Sequence, residues 1–88
     1  MFTNKSADGL NNICGAQIAV QRKNLHLSQR QLAEKLQLFG IDVDKNAIQR
    51  IESGKRFVTD IELIAFRDIF DIPYEVLLMT EKDRSLPG

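Results

Sequence analysis

Between residues 12 and 80, apolar side chains return every three or four positions, and no stretch alternates long enough to suggest a strand. The first block, Ile13, Ala16 and Val20 with Ile18 and Ala19 alongside, predicts an amphipathic helix from about Asn12 to near Asn24. Leu25 and Leu27 then lead into Ser28, which with Gln31 gives an S-x-x-Q capping box. The helix behind that box is expected to bury Leu32, Ala33, Leu36 and Phe39. Gly40 can take the positive φ that ends a helix, and Ile41-Asp42-Val43 reads as a turn with two apolar anchors. Asp44 is a good cap for a short third helix with Ala47, Ile48 and Ile51 inward, closed by Ser53-Gly54. Thr59 and Glu62 repeat the capping box for a fourth helix, expected to bury Ile61, Ile64, Ala65 and Phe70. Pro73 fits the first helical position of a last short helix carrying Val76, Leu77 and Leu78. The pattern predicts an all-α, five-helix domain.

Residues 1–11 are polar and without period, so they are expected to form a flexible arm, with the domain over 12–80 and a frayed tail over 81–88. The 88 residues are 43% apolar, enough for one small core without metal or disulfide staples. The single cysteine, Cys14, excludes an internal disulfide and falls on the first helix, where a buried structural thiol is expected. No apolar run approaches a membrane span and no basic-then-apolar leader opens the chain, which makes a cytoplasmic protein the expectation. His26 is the sole histidine, no cluster has metal-ligand spacing, and capping accounts for Asp42 and Asp44. Neither an enzyme, a metal site nor a cofactor is expected.

The net charge is zero, but its distribution is uneven. Residues 1–56 carry nine basic and five acidic side chains, and residues 57–88 carry three and seven. Such a chain can set its basic half against phosphates and leave its acidic half to solvent or a partner. Within the basic half, the inward spacing of Ala47, Ile48 and Ile51 leaves Lys45, Asn46, Gln49 and Arg50 outward or flanking on the third helix. Asn46 and Gln49 can pair bidentately with adenine, while Lys45 and Arg50 can donate to guanine or phosphate. An ordinary solvated polar face would have the same composition, so this helix alone leaves both readings open.

The order of motifs adds to it. Arg22, Leu27-Ser28-Gln29, Leu32-Ala33-Glu34-Lys35-Leu36, Ile48-Gln49-Arg50-Ile51-Glu52-Ser53-Gly54-Lys55-Arg56, Glu62-Leu63 and Ile72-Pro73-Tyr74-Glu75-Val76-Leu77 follow one another with characteristic spacing. Ile13 through Leu78 resembles the lambda-repressor-like helix-turn-helix family, of the Cro/C1 or xenobiotic-response-element type. The resemblance implies a transcriptional regulator, expected to be a repressor, that binds double-stranded DNA. It implies base contacts by Lys45, Asn46 and Arg50 with Gln49 close by, and phosphate contacts by Gln29 and by Lys55 or Arg56. It also implies a structural ion pair between Arg22 and Glu52. One departure stands out: Gln37-Leu38-Phe39 and Ile41-Asp42-Val43 add about five residues between Leu36 and Ile48 relative to the family's usual turn of about four, which implies a longer helix two and a wider turn.

One recognition helix reads only a few base pairs, so a homodimer on a pseudo-palindromic operator is expected. The acidic C-terminal third offers Phe57, Phe66, Tyr74, Leu78 and Met79 as its interface, unless these pack internally. The alternative function is an antitoxin or another protein-interaction module on the same fold. RNA is a weaker fit, because Phe39, Phe57, Phe66, Phe70 and Tyr74 fall mostly at core-like positions rather than on a stacking surface.

Overall fold

A computed structural model describes residues 9–79, within which the chain forms five helices and no strand. They are α1 (Gly15–Asn24), α2 (Gln29–Leu38), α3 (Lys45–Glu52), α4 (Asp60–Phe70) and α5 (Tyr74–Leu77). Helix α3 packs on both α1 and α2, α4 closes the other side of the same two helices, and α5 rests on α1. The core gathers Ile18, Leu32, Leu36, Ile48, Ile51, Phe66 and Leu77, with Cys14, Val43, Ala65 and Phe70 around them. Residues 1–8 of the expected arm and 81–88 of the expected tail lie outside the described residues.

The helix starts follow the sequence closely. Ser28 Oγ accepts from the Gln31 backbone N–H at 3.0 Å while Gln31 Oε1 accepts from the Ser28 N–H at 2.8 Å. Thr59 and Glu62 make the same reciprocal box at 3.1 and 3.0 Å. Asp44 Oδ1 accepts from the Ala47 N–H at 2.9 Å and so caps α3. Pro73 stands one residue earlier than expected, as the N-cap of α5.

The helix ends share a device. After α1, α2 and α3 the chain turns into the left-handed region at His26 (φ 58°), Gly40 (φ 80°) and Gly54 (φ 79°). Each time, the next residue's N–H reaches back to the third-last helical carbonyl: Leu27 to Arg22, Ile41 to Leu36 and Lys55 to Arg50. This satisfies carbonyls that a helix end otherwise leaves bare. Glycine suits two of the three positions, whereas His26 adopts a conformation that opposes its own Cβ.

The lengthened connection occupies residues 39–44 and is fixed rather than slack. Gln37 Nε2 donates to the Val43 carbonyl at 2.9 Å, Val43 is buried, and Ile41 packs against the core edge. Phe39, expected inside α2, is the residue after that helix and is exposed.

Two helices are rotated relative to the apolar count. In and just before α1, Ile13, Ala16 and Val20 face outward, and Cys14, Gly15, Gln17 and Ile18 face in. The cause is Gly15, which sits so close to the Ile51 carbonyl that an added Cβ would overlap it. Asn12 fixes the same phase: its Oδ1 accepts from the Gly15 N–H at 2.8 Å, and its Nδ2 donates to the carbonyls of Ile51 (3.0 Å) and Arg56 (2.7 Å). In α4, Ile61 is 67% exposed and Ile64 49%, while Glu62, Ala65, Phe66 and Phe70 are buried. Glu62 can point inward because it is paired, and its inward turn carries residues three, four and eight positions on into the core. Phe66, expected on a dimer face, is fully buried and stacks on Phe70 with ring centroids 6.0 Å apart.

Candidate nucleic-acid interface

An isolated helix of the length of α3 would be marginal in water, so its order comes from what holds it. Ile48 and Ile51 anchor its inner face at zero exposure. Asp44 caps its start, and the turn at Gly54 together with Asn12 satisfies carbonyls at its end. Leu10 lies against Gly54, where a Cβ would come within 2.7 Å of the Leu10 Cδ2, and Asn11 donates from its backbone to Gly54 O and from Nδ2 to Lys55 O.

That mounting leaves Lys45, Asn46, Gln49 and Arg50 exposed, all four side chains without a hydrogen bond or ion pair to residues 9–79. Their donors and acceptors are therefore free for an outside ligand. Arg50 lies in the last turn, where the helix dipole favours a cation.

Arg22 meets Glu52 with Nε donating to Oε2 at 2.7 Å and a second nitrogen donating to Oε1 at 3.2 Å. Its remaining nitrogen donates to the Leu27 carbonyl at 2.8 Å. With 13% and 9% of the two side chains exposed, this is the partly buried pair that joins α1 to the end of α3. Gln29, at the start of α2, donates its amide nitrogen to Glu52 Oε1 at 3.1 Å. Lys55 is exposed just beyond α3, on the turn that Gly54 makes.

Arg56 is placed differently from its neighbour. Two of its nitrogens meet the two Glu62 oxygens, each at 2.9 Å, and one also donates to the Phe57 carbonyl at 3.0 Å. Burial pushes the Glu62 carboxyl up, but hydrogen bonds from Arg56 and the Thr59 N–H outweigh that and hold it below the usual carboxylate range. The same bond to Glu62 raises the Arg56 guanidinium further. Arg56 is thus engaged as a bracket between the end of α3 and the start of α4.

Sequence reasoning missed Asn12 and Gly15 in this mounting, and gave Glu62 its capping role but not its pairing with Arg56. The signals were present. Asn12 stands three positions before Gly15, the spacing of a cap, and a glycine inside an apolar helix marks a close backbone approach.

A helix-turn-helix family model matches residues 18–77, more than half of the chain. The chain belongs to the lambda-repressor-like, Cro/C1 type of helix-turn-helix proteins. Comparison with curated proteins and with solved structures gave no match. The proteins of this helix-turn-helix family are non-catalytic DNA-binding regulators, and membership gives this chain a DNA-binding regulatory role. Within that family's frame, α2 and α3 are the paired helices, and α3 carries four outward polar side chains, Lys45, Asn46, Gln49 and Arg50, without a partner among the described residues. Among the described residues no group of histidine, cysteine and carboxylate side chains could hold a metal ion, and no helix is long and apolar enough to cross a membrane. Cys14 is buried beneath α1, and burial raises its thiol to about 11, so it stays protonated at neutral pH.

Proposed function

We propose that the protein is a sequence-specific repressor that reads the major groove of double-stranded DNA with α3, in the cytoplasm and as a homodimer on a pseudo-palindromic operator. The observation that carries this reading is the combination of a recognition helix fixed at both ends and four exposed, unengaged polar side chains on its outer face. Lys45, Asn46, Gln49 and Arg50 read bases; Gln29 and Lys55 meet phosphate. Arg56 supports the site from behind, through Glu62, and leaves the phosphate at that end to Lys55.

Selection of bound sites from random duplexes, followed by titration of the selected site, tests this. Arg50→Ala should cost about 1–3 kcal/mol on the selected duplex and relax preference at one base pair. Equal loss on selected and scrambled duplexes would overturn base reading by Arg50.

The homodimer is supported by the outer face of the C-terminal third. Phe66 is withdrawn from it by burial, and Ile61 and Ile64 join Phe57, Tyr74 and Leu78 as exposed apolar side chains, with Met79 half-buried beside them. Recognition helices of such dimers enter grooves about 34 Å apart. Sedimentation with a palindromic duplex should give two protein chains per site; one chain per full site at saturation would refute the dimer. The alternative, an antitoxin or other interaction module, draws support from a second apolar edge at Leu38 and Phe39, 87% and 52% exposed at the end of α2. A stable complex with another protein that requires Leu38 would favour it.

A further inference from the structure

We infer that Glu52 is a positioning residue for DNA: by holding one hydrogen of the Gln29 amide, it aims the other at a backbone phosphate, an inference that rests on the DNA-binding reading above. Glu52 accepts from both Arg22 and Gln29, and Oε1 is shared between them at 3.2 and 3.1 Å. The Gln29 nitrogen carries two hydrogens about 120° apart, so fixing one fixes the direction of the other. Arg22 makes the arrangement compatible with a nearby phosphate. A bare carboxylate beside a phosphate would repel it, but the bidentate arginine cancels that charge while leaving the acceptor in place.

The geometry also joins two jobs. Glu52 is the last residue of α3 and Gln29 the first of α2, so the group that meets the backbone is tied to the helix that meets the bases. A free glutamine would lose rotamer freedom on binding; here that loss has already occurred on folding.

The test is a four-way titration of a mixed-sequence duplex, since a phosphate contact carries no base preference. The parent, Gln29→Ala, Glu52→Ala and the double variant are compared well below the melting temperature of each. Gln29→Ala should bind about tenfold more weakly, as expected for a hydrogen bond to a charged group. Glu52→Ala should lose several-fold, and the double variant should bind no more weakly than Gln29→Ala. Losses that multiply, or a Glu52→Ala protein that binds like the parent, would overturn the inference, because a merely structural Glu52 acts independently of Gln29. Should Glu52→Ala fail to fold, the unsubstituted chain decides by NMR. One Gln29 side-chain amide proton should exchange more slowly than those of exposed Gln49 before DNA is added, and the duplex should shift mainly the other. Two equally fast protons would overturn it. A loss in Lys55→Ala with none in Gln29→Ala would leave DNA binding standing and defeat this inference alone, whereas a parent that binds no duplex defeats both.

Discussion

Arg22 reaches Glu52 across 30 residues of sequence, and Arg56 reaches Glu62 across six. Both pairs are bidentate and both touch the end of α3, yet their surroundings separate them. The first has 13% and 9% of its side chains exposed and joins two helices that nothing local would bring together. The second has 30% and 9% exposed and brackets a short loop whose helix is already capped by Thr59. One pair also accepts from the Gln29 amide, and the other holds the Arg56 guanidinium against α4. The lesson is that a basic residue beside α3 is assigned by its partner, not by its position in sequence. Lys55 and Arg56 are adjacent, and among the described residues Arg56 has an ion-pair partner and Lys55 has none.

The largest expected effect is on the deeper pair. Arg22→Ala should cost about 3–5 kcal/mol of stability by leaving Glu52 uncompensated, as judged by denaturant unfolding. An Arg22→Ala protein as stable as the parent would erase the contrast. Arg56→Ala should cost less, about 1–2 kcal/mol, because water already screens its guanidinium.

The pH dependence singles out the same outer pair. Because the Glu62 carboxyl is held low in the folded chain, its stabilisation is full at neutral pH. It drains away as pH falls below the ordinary carboxylate range of about 4.3 and through its own lowered value. Stability should therefore drop less steeply on acidification in Arg56→Ala than in the parent; parallel curves would show that Arg56 does not set the Glu62 titration.

On DNA the order reverses. Lys55→Ala should lower the slope of log affinity against log salt by about one unit on any duplex, while folded Arg56→Ala should leave it unchanged. An equal drop in both would return Arg56 to the phosphates. The smallest effect concerns the backbone next to Arg22. His26→Gly should stabilise by about 0.5–1 kcal/mol, by relieving a left-handed residue at the turn whose next carbonyl Arg22 holds. A lower melting temperature would show that the histidine side chain contributes more than its strained backbone costs.

Much of the fold was legible because the helix boundaries are local chemistry. Ser28, Asp44 and Thr59 announce starts, and Gly40 and Gly54 announce ends, with no need of the rest of the chain. The Arg22–Glu52 contact was legible through family resemblance, since nothing in either segment points to the other. What stayed hidden was rotation about helix axes. Counting apolar residues favoured Ile61 over Glu62, and put Ile13, Ala16 and Val20 on the inner stripe, because the count cannot include a carboxylate that is paired or a glycine that must meet a carbonyl. Those are long-range facts. The same blindness kept Phe66 among the candidate interface residues and left the Arg56–Glu62 pair unseen.

The close approach of Gly15 to Ile51, with Asn12 bridging both, bears on how the protein opens as well as how it is built. A helix as short as α3 ought to be the first element to fray, releasing its amides on the timescale of local breathing. Here its terminal carbonyl is bonded by a side chain at the start of α1, and its inner face sits at zero exposure. The amides of Ile48 and Ile51 are thus expected to exchange slowly, with the opening of the core rather than with fraying of a free helix end. Hydrogen exchange should therefore place α3 with the core rather than with the fraying ends, its shape set by folding and not by a ligand.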